Sequence, residues 1–177
     1  MIEILNEAEV DRAARTGRLV GTILHELKAR VRVGTDLLEI DSWAKAMILD
    51  AGATSCYIDY EPSFGRGPFG HCICTAVNDA VLHGKPYHYR LADGDLLTLD
   101  LAIITEGIAA DAAISFIVGP SRDPRDEALI DTTERALEAA IAVARPDARM
   151  GDISHAIGSV LSSAGYTINM AVSYTHL

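Results

Sequence analysis

The 177-residue chain is 49% apolar and 6% aromatic, enough to bury one core and too short for two ordinary domains. Its 25 acidic against 15 basic residues leave a formal net charge of −10, which argues against the broad cationic grip that phosphate backbones need. Acids at Glu3 and Glu7 stand where a secretory leader would be basic and then apolar, and no window reaches about 18 uncharged apolar residues, so a cytoplasmic protein without a membrane span is expected.

From Asn6 to Val31, the apolar residues Val10, Ala13, Ala14, Leu19, Val20, Ile23, Leu24 and Leu27 recur at three- and four-residue steps and predict an amphipathic helix. Gly34 and Thr35 interrupt it. Asp36, with Glu39 three residues on, reads as a capping box that opens a second helix through Ile40, Trp43, Ala44, Met47 and Ile48 to a stop at Gly52. Residues 57–70 are rich in Pro, Gly and aromatics and predict an ordered loop of the kind that shapes pockets. Strands are expected at Ile73–Val81 and Leu96–Ile104, separated by a loop at His83-Gly84-Lys85-Pro86 and a turn at Asp93-Gly94-Asp95. Ile108–Val118 completes a hairpin with Thr105-Glu106-Gly107 at its tip. After Pro120 the pattern returns to helix, over Pro124–Ala144 and Met150–Ala164, with a break at Pro146. This order reads as α+β, an architectural unit whose second copy begins without its sheet.

Asp100 lies in an apolar strand, where an ionised carboxylate is costly to bury without a partner, and Asp111 lies in an equally apolar stretch on the other arm of the hairpin. If the tip is the two-residue loop Thr105-Glu106, the two acids face each other directly on one side of the sheet. Like charges that close need a shared proton or a cation. A divalent metal site, an acid/base dyad and a bland pair facing water all remain open on the pattern alone. His83 follows a strand and precedes Gly84 and Pro86, so a rigid turn could present its imidazole to a cleft, although a lone turn histidine is more often solvated. His71 carries less weight; His25 and His155 fall within predicted helices and His88 in a polar loop, and none has the i, i+4 partner of a helical zinc motif. The three cysteines, Cys56, Cys72 and Cys74, are odd in number and do not form a disulfide framework, and Cys72 with Cys74 is spaced too closely for an ordinary zinc knuckle.

Taken together, Cys74 to Pro86 (Cys-Thr-Ala-Val-Asn-Asp-Ala-Val-Leu-His-Gly-Lys-Pro), Leu91 to Asp100, and Gly107 to Gly119 closely resemble the type I, bacterial-type methionine aminopeptidases, in order and in spacing. The resemblance runs from the N-terminal helix to about Met170. It implies the α+β pita-bread fold, with the first half complete and the second cut before its sheet. It also implies two divalent cations (Co, Mn, Fe or Zn) held by two aspartates, one histidine and two glutamates. Asp100 and Asp111 match the aspartates. His83 matches the catalytic, substrate-binding histidine that contacts the scissile amide without ligating metal. Phe64, Phe69 and Cys74 resemble residues lining the methionine pocket, although the loop Gly65-Arg66-Gly67-Pro68 looks one residue shorter than the commoner form. The implied activity is removal of N-terminal methionine from nascent proteins when the second residue is small, by a full-length monomer that could associate transiently with the ribosome.

The departure lies at the end. The family's Gly-His-Gly motif should follow Gly165 to Met170, and two glutamates later still, yet Val172-Ser173-Tyr174-Thr175-His176-Leu177 reads as the translation of a common sequencing-adapter end. Residues 1–171 are therefore expected to be the domain and 172–177 a non-native tail, with His176 no substitute for the missing ligand. Such a chain, with two of five ligands, is expected to bind metal weakly or not at all and to show no peptidase activity. A catalytically silent pita-bread binding module, or another aminopeptidase of the same fold, is the alternative.

Overall fold

The computed structural model describes residues 4–61 and 67–168. The chain divides into two compact units, Met1–Arg122 and Asp123–Leu177. In the first, helix α1 (Glu7–Arg30) starts at an Asn6–Glu9 capping box: the Asn6 side chain accepts from the Glu9 amide at 3.0 Å, and Glu9 accepts from the Asn6 amide at 2.7 Å. Helix α2 (Leu37–Asp50) opens in the same way, with Glu39 accepting from the Asp36 amide at 2.9 Å. Both helices match the sequence expectation to within a residue or two at each end.

Four strands form one antiparallel sheet: β1 (Thr54–Ser55), β2 (Cys74–Val77), β3 (Asp95–Thr105) and β4 (Ile108–Val118). β3 is the spine. β4 pairs with it from Asp95↔Val118 to Thr105↔Ile108, while β2 and β1 pair in succession with its other edge, Cys74 opposite Asp100 and Thr54 opposite Ile104. β3 alternates from Asp95 to Leu101, after which Ala102 is buried as well. Leu97, Leu99, Leu101 and Ile103 are all 0% exposed, in one core with Val20 and Leu27 of α1 and Leu37 and Ile40 of α2. Each such side chain contributes roughly 1.5–3 kcal/mol on leaving water. Leu96, Thr98 and Asp100 project from the opposite face and remain half-exposed. One face of the sheet thus holds the unit together and the other is open to carry polar groups.

Two sequence expectations change here. The strand predicted over Ile73–Val81 stops at Val77, because Asn78 takes a left-handed conformation (φ 56°) and bonds its amide back to the Leu96 carbonyl at 2.8 Å. The hairpin tip is Glu106-Gly107, not Thr105-Glu106; both residues have positive φ (52° and 79°), the geometry of a type I′ turn, which a glycine at its second position permits. Asp100 therefore faces Ala113 and Asp111 faces Ala102, so the two acids are diagonal neighbours on one face and not a direct pair.

The second unit consists of helices α3 (Pro124–Val143) and α4 (Met150–Ser163), packed on each other. Asp123 caps α3 by accepting from the Arg125 amide at 2.9 Å, with Pro124 in the first turn. Thr132, Ala136 and Ala140 are its buried residues, whereas α4 buries none among those described.

Candidate functional site

The open sheet face brings the chemistry together by simple register. Cys74, Asp100 and Ala113 form one row across β2, β3 and β4. The next row holds Ala102 and Asp111, extended by Cys56, whose amide donates to the Ala102 carbonyl at 3.0 Å just beyond β1. The alternation of β3 explains why Asp100 can sit between Leu99 and Leu101 without entering the core. Neither acid is buried, contrary to expectation: Asp100 is half-exposed and Asp111 exposed.

The carboxylates are close enough to act on each other. Asp111 is raised from 3.8 to about 6, first by loss of water around its carboxyl, then by the Asp100 charge and by a hydrogen bond between the two; Tyr57 and His83 pull in the opposite direction. The Tyr57 hydroxyl donates to Asp100 Oδ1 at 3.0 Å. Burial, followed by the two aspartate charges, drives the Tyr57 phenol up. The Cys74 thiol is pushed up to about 12 by the same causes, and Cys56 is raised by burial and then by Asp111. At neutral pH the groups flanking the two acids are therefore uncharged, and the carboxylates have little positive charge to balance them.

His83 stands on the far side of β2, in a left-handed conformation (φ 54°) uncommon for a residue with a side chain. Its loop is fixed at both ends. Asn78 Oδ1 accepts from the Leu96 amide at 3.0 Å, and Asn78 Nδ2 donates to Asp95 Oδ1 at 3.1 Å. Asp95, 1% exposed, also accepts from the Tyr89 hydroxyl and the Ala92 amide. At the other end the Gly84 carbonyl accepts from the Thr75 amide at 2.8 Å. His83 is close enough to Asp111 for a positive charge on its ring to lower that carboxyl.

Phe69 reaches the site through Tyr57: the two rings meet edge to face at 5.9 Å. Asp41 of α2 anchors the segment that carries Phe69, accepting from the Cys72 amide at 2.7 Å and bonding His71 Nδ1 at 2.8 Å. His71 is thus a structural partner, and Cys72 lies in the core, apart from Cys74; all three thiols are free. Phe64, Met170 and the tail 172–177, including His176, lie outside the described residues. Sequence reasoning missed Tyr57 and Cys56. No local pattern marks them, because they join the site only when β1 docks on the far end of β3.

As part of a divalent cation site, these residues fit: two carboxylates side by side, one of them held up by its neighbour's charge, are relieved by a cation between them. Among the described residues, no group of three or more His, Cys, Asp or Glu side chains is arranged to hold a metal by itself.

A family model described as metallopeptidase family M24 matches residues 11–177. A methionine aminopeptidase of Clostridium perfringens is 36% identical over 169 residues, covering 95% of this chain and 65% of the relative. Methionine aminopeptidase 1 of Mycobacterium tuberculosis is 36% identical over 150 residues, covering 84% and 54%. Among solved structures, methionine aminopeptidase from Rickettsia prowazekii superposes with a TM-score of 0.88 at 27% identity, over 94% of this chain and 64% of that one. The prolidase of Pyrococcus horikoshii, at 16% identity and a TM-score of 0.74, shares the fold alone. The chain spans about three-fifths of the length of the curated relatives it matches.

Proposed function

Because this chain belongs to metallopeptidase family M24 and shares its pita-bread fold, we propose that the protein removes N-terminal methionine from nascent polypeptides whose second residue is small. The observation that carries this reading is the pair of acids, Asp100 and Asp111, adjacent on the open face of the β3–β4 hairpin. These two side chains would hold divalent cations, of the Co, Mn, Fe or Zn class, as part of a larger ligand set. Cations bound there would supply an activated water and polarise the scissile carbonyl.

The remaining steps belong to the chain's own residues. His83 donates a hydrogen bond to the substrate amide, where negative charge develops mainly in the transition state. Its fixed loop keeps the imidazole in place without reorganisation. Cys74, as a neutral thiol, and Phe69, on the edge of Tyr57, border the pocket for the unbranched methionine side chain, with Phe64 a further candidate outside the described residues. The protein acts as a cytoplasmic monomer, with transient docking at the ribosome as its route to substrate. In keeping with a net charge of −10 it makes no direct grip on nucleic acid, and no described helix is long and apolar enough to cross a membrane.

With only two of the five ligands the family employs, the 177-residue chain by itself binds metal weakly and releases no methionine. The test uses Met-Ala-Ser peptide with Co²⁺ or Mn²⁺. A protein extended to the length of the relatives releases methionine and loses that activity in Asp111→Asn, whereas the present chain is silent. Release by the present chain, or full activity in the extended Asp111→Asn variant, would overturn the reading.

A further inference from the structure

We propose that Tyr57 is a positioning residue for cation binding, its hydroxyl orienting the Asp100 carboxylate so that the free oxygens of Asp100 and Asp111 converge. This rests on the cation reading of the two acids and adds a residue that neither the resemblance nor the comparisons assign.

Two observations carry it. The Tyr57 hydroxyl donates to Asp100 Oδ1 at 3.0 Å, on the sheet face that Asp100 shares with Asp111. The ring is held independently of the carboxylates: the Tyr57 amide donates to Ser55 Oγ at 3.1 Å, Ser55 Oγ donates to the Cys72 carbonyl at 3.3 Å, and Phe69 packs on the ring edge. The hydroxyl is thus a fixed point from which an otherwise rotatable aspartate is aimed.

The sign of the effect follows from counting lone pairs. A carboxylate offers about four acceptor sites. One phenol bond uses one of them on Oδ1 and leaves Oδ2 for a cation shared with Asp111, so the hydroxyl aims the ligand without blocking it. Hydrogen bonds of this kind to a ligating group typically change metal affinity by about 10–100-fold when removed. A purely competitive hydroxyl would instead make affinity rise on its removal.

The experiment is a titration of the 177-residue chain with Tb³⁺, an oxygen-seeking probe, in wild type, in Tyr57→Phe and in the double variant Asp100→Asn/Asp111→Asn. Affinity is read by direct excitation of Tb³⁺, and ultraviolet-sensitised emission gives a separate measure of a phenol near the ion. Tyr57→Phe keeps the ring and its contact with Phe69, and circular dichroism verifies the fold. The expected result is binding that is abolished in the double variant and at least tenfold weaker in Tyr57→Phe, with sensitised emission lost from the Tb³⁺ that still binds. Equal or tighter binding by Tyr57→Phe, with the double variant still dead, overturns the role of Tyr57 alone. Undiminished binding by the double variant, or none by wild type, overturns the cation reading and this inference with it.

Discussion

Replacing Gly84 by alanine tests how the His83 loop is held. A Cβ built on Gly84 would lie 2.2 Å from the Thr75 carbonyl oxygen, 2.9 Å from the Thr75 carbonyl carbon and 3.3 Å from Ala76 Cα. All three are backbone atoms of β2, which is itself bonded to β3, so no side chain can swing aside. An ordinary carbon–oxygen approach is about 3.3 Å or more, so the loop must retreat by about 1 Å. That movement breaks the 2.8 Å bond from the Thr75 amide to the Gly84 carbonyl. Overpacking of about 1–3 kcal/mol and a lost hydrogen bond of about 1 kcal/mol give a cost of about 2–4 kcal/mol. Against a typical domain stability of about 5–15 kcal/mol, that is readily measured. Urea unfolding followed by circular dichroism gives the free energy, and hydrogen exchange at the Thr75 amide reports the loop directly. A change below about 0.5 kcal/mol with unaltered Thr75 protection would refute the reasoning.

Gly17→Ala gives the opposite sign: its Cβ meets nothing within 4 Å on α1, so thermal unfolding should show a gain of about 1 kcal/mol from helix propensity. Asp36→Ala removes the acceptor of the Leu38 amide at the start of α2 and should cost about 1–2 kcal/mol in urea unfolding. Asp111 has a folded pKa raised from 3.8 to about 6, so the stability associated with its protonated form is complete below pH 3.8 and is lost as pH rises through 6. In metal-free protein the thermal midpoint should fall across that window, and Asp111→Asn should flatten the fall; an identical profile in the variant would count against the charge pair. Arg15→Ala, which breaks an ion pair to Glu106 whose side chains are both 51% exposed, should change stability by less than about 0.5 kcal/mol in the same assay.

The helices were legible because their ends carry local chemistry: Asn6 with Glu9 and Asp36 with Glu39 are capping boxes that can be read within four residues. The β3–β4 hairpin was legible as an element, and its register was displaced because Gly107 alone does not say which neighbour joins it in the turn; Glu106 adopts positive φ without advertising it. Period-two alternation in β3 was hidden by apolar residues on both faces. The run Leu96 to Ile104 therefore suggests burial throughout, whereas in the fold Asp100 lies on the open side. β1 is two residues long, below what any periodicity reveals, yet its docking delivers Cys56 and Tyr57 to acids more than forty residues away in the chain. Chemistry assembled from such distant segments leaves no trace in local spacing.

The interleaving of Asp100 between Leu99 and Leu101 guards against error. A slip of β3 by one position would place a carboxylate in the oil and a leucine in the solvent, so a molecule that mispairs its hairpin is penalised in stability as well as in chemistry. Misassembled copies would unfold and be cleared, and few would persist as well-folded but inert protein. Quality control is built into the order of the letters along one strand.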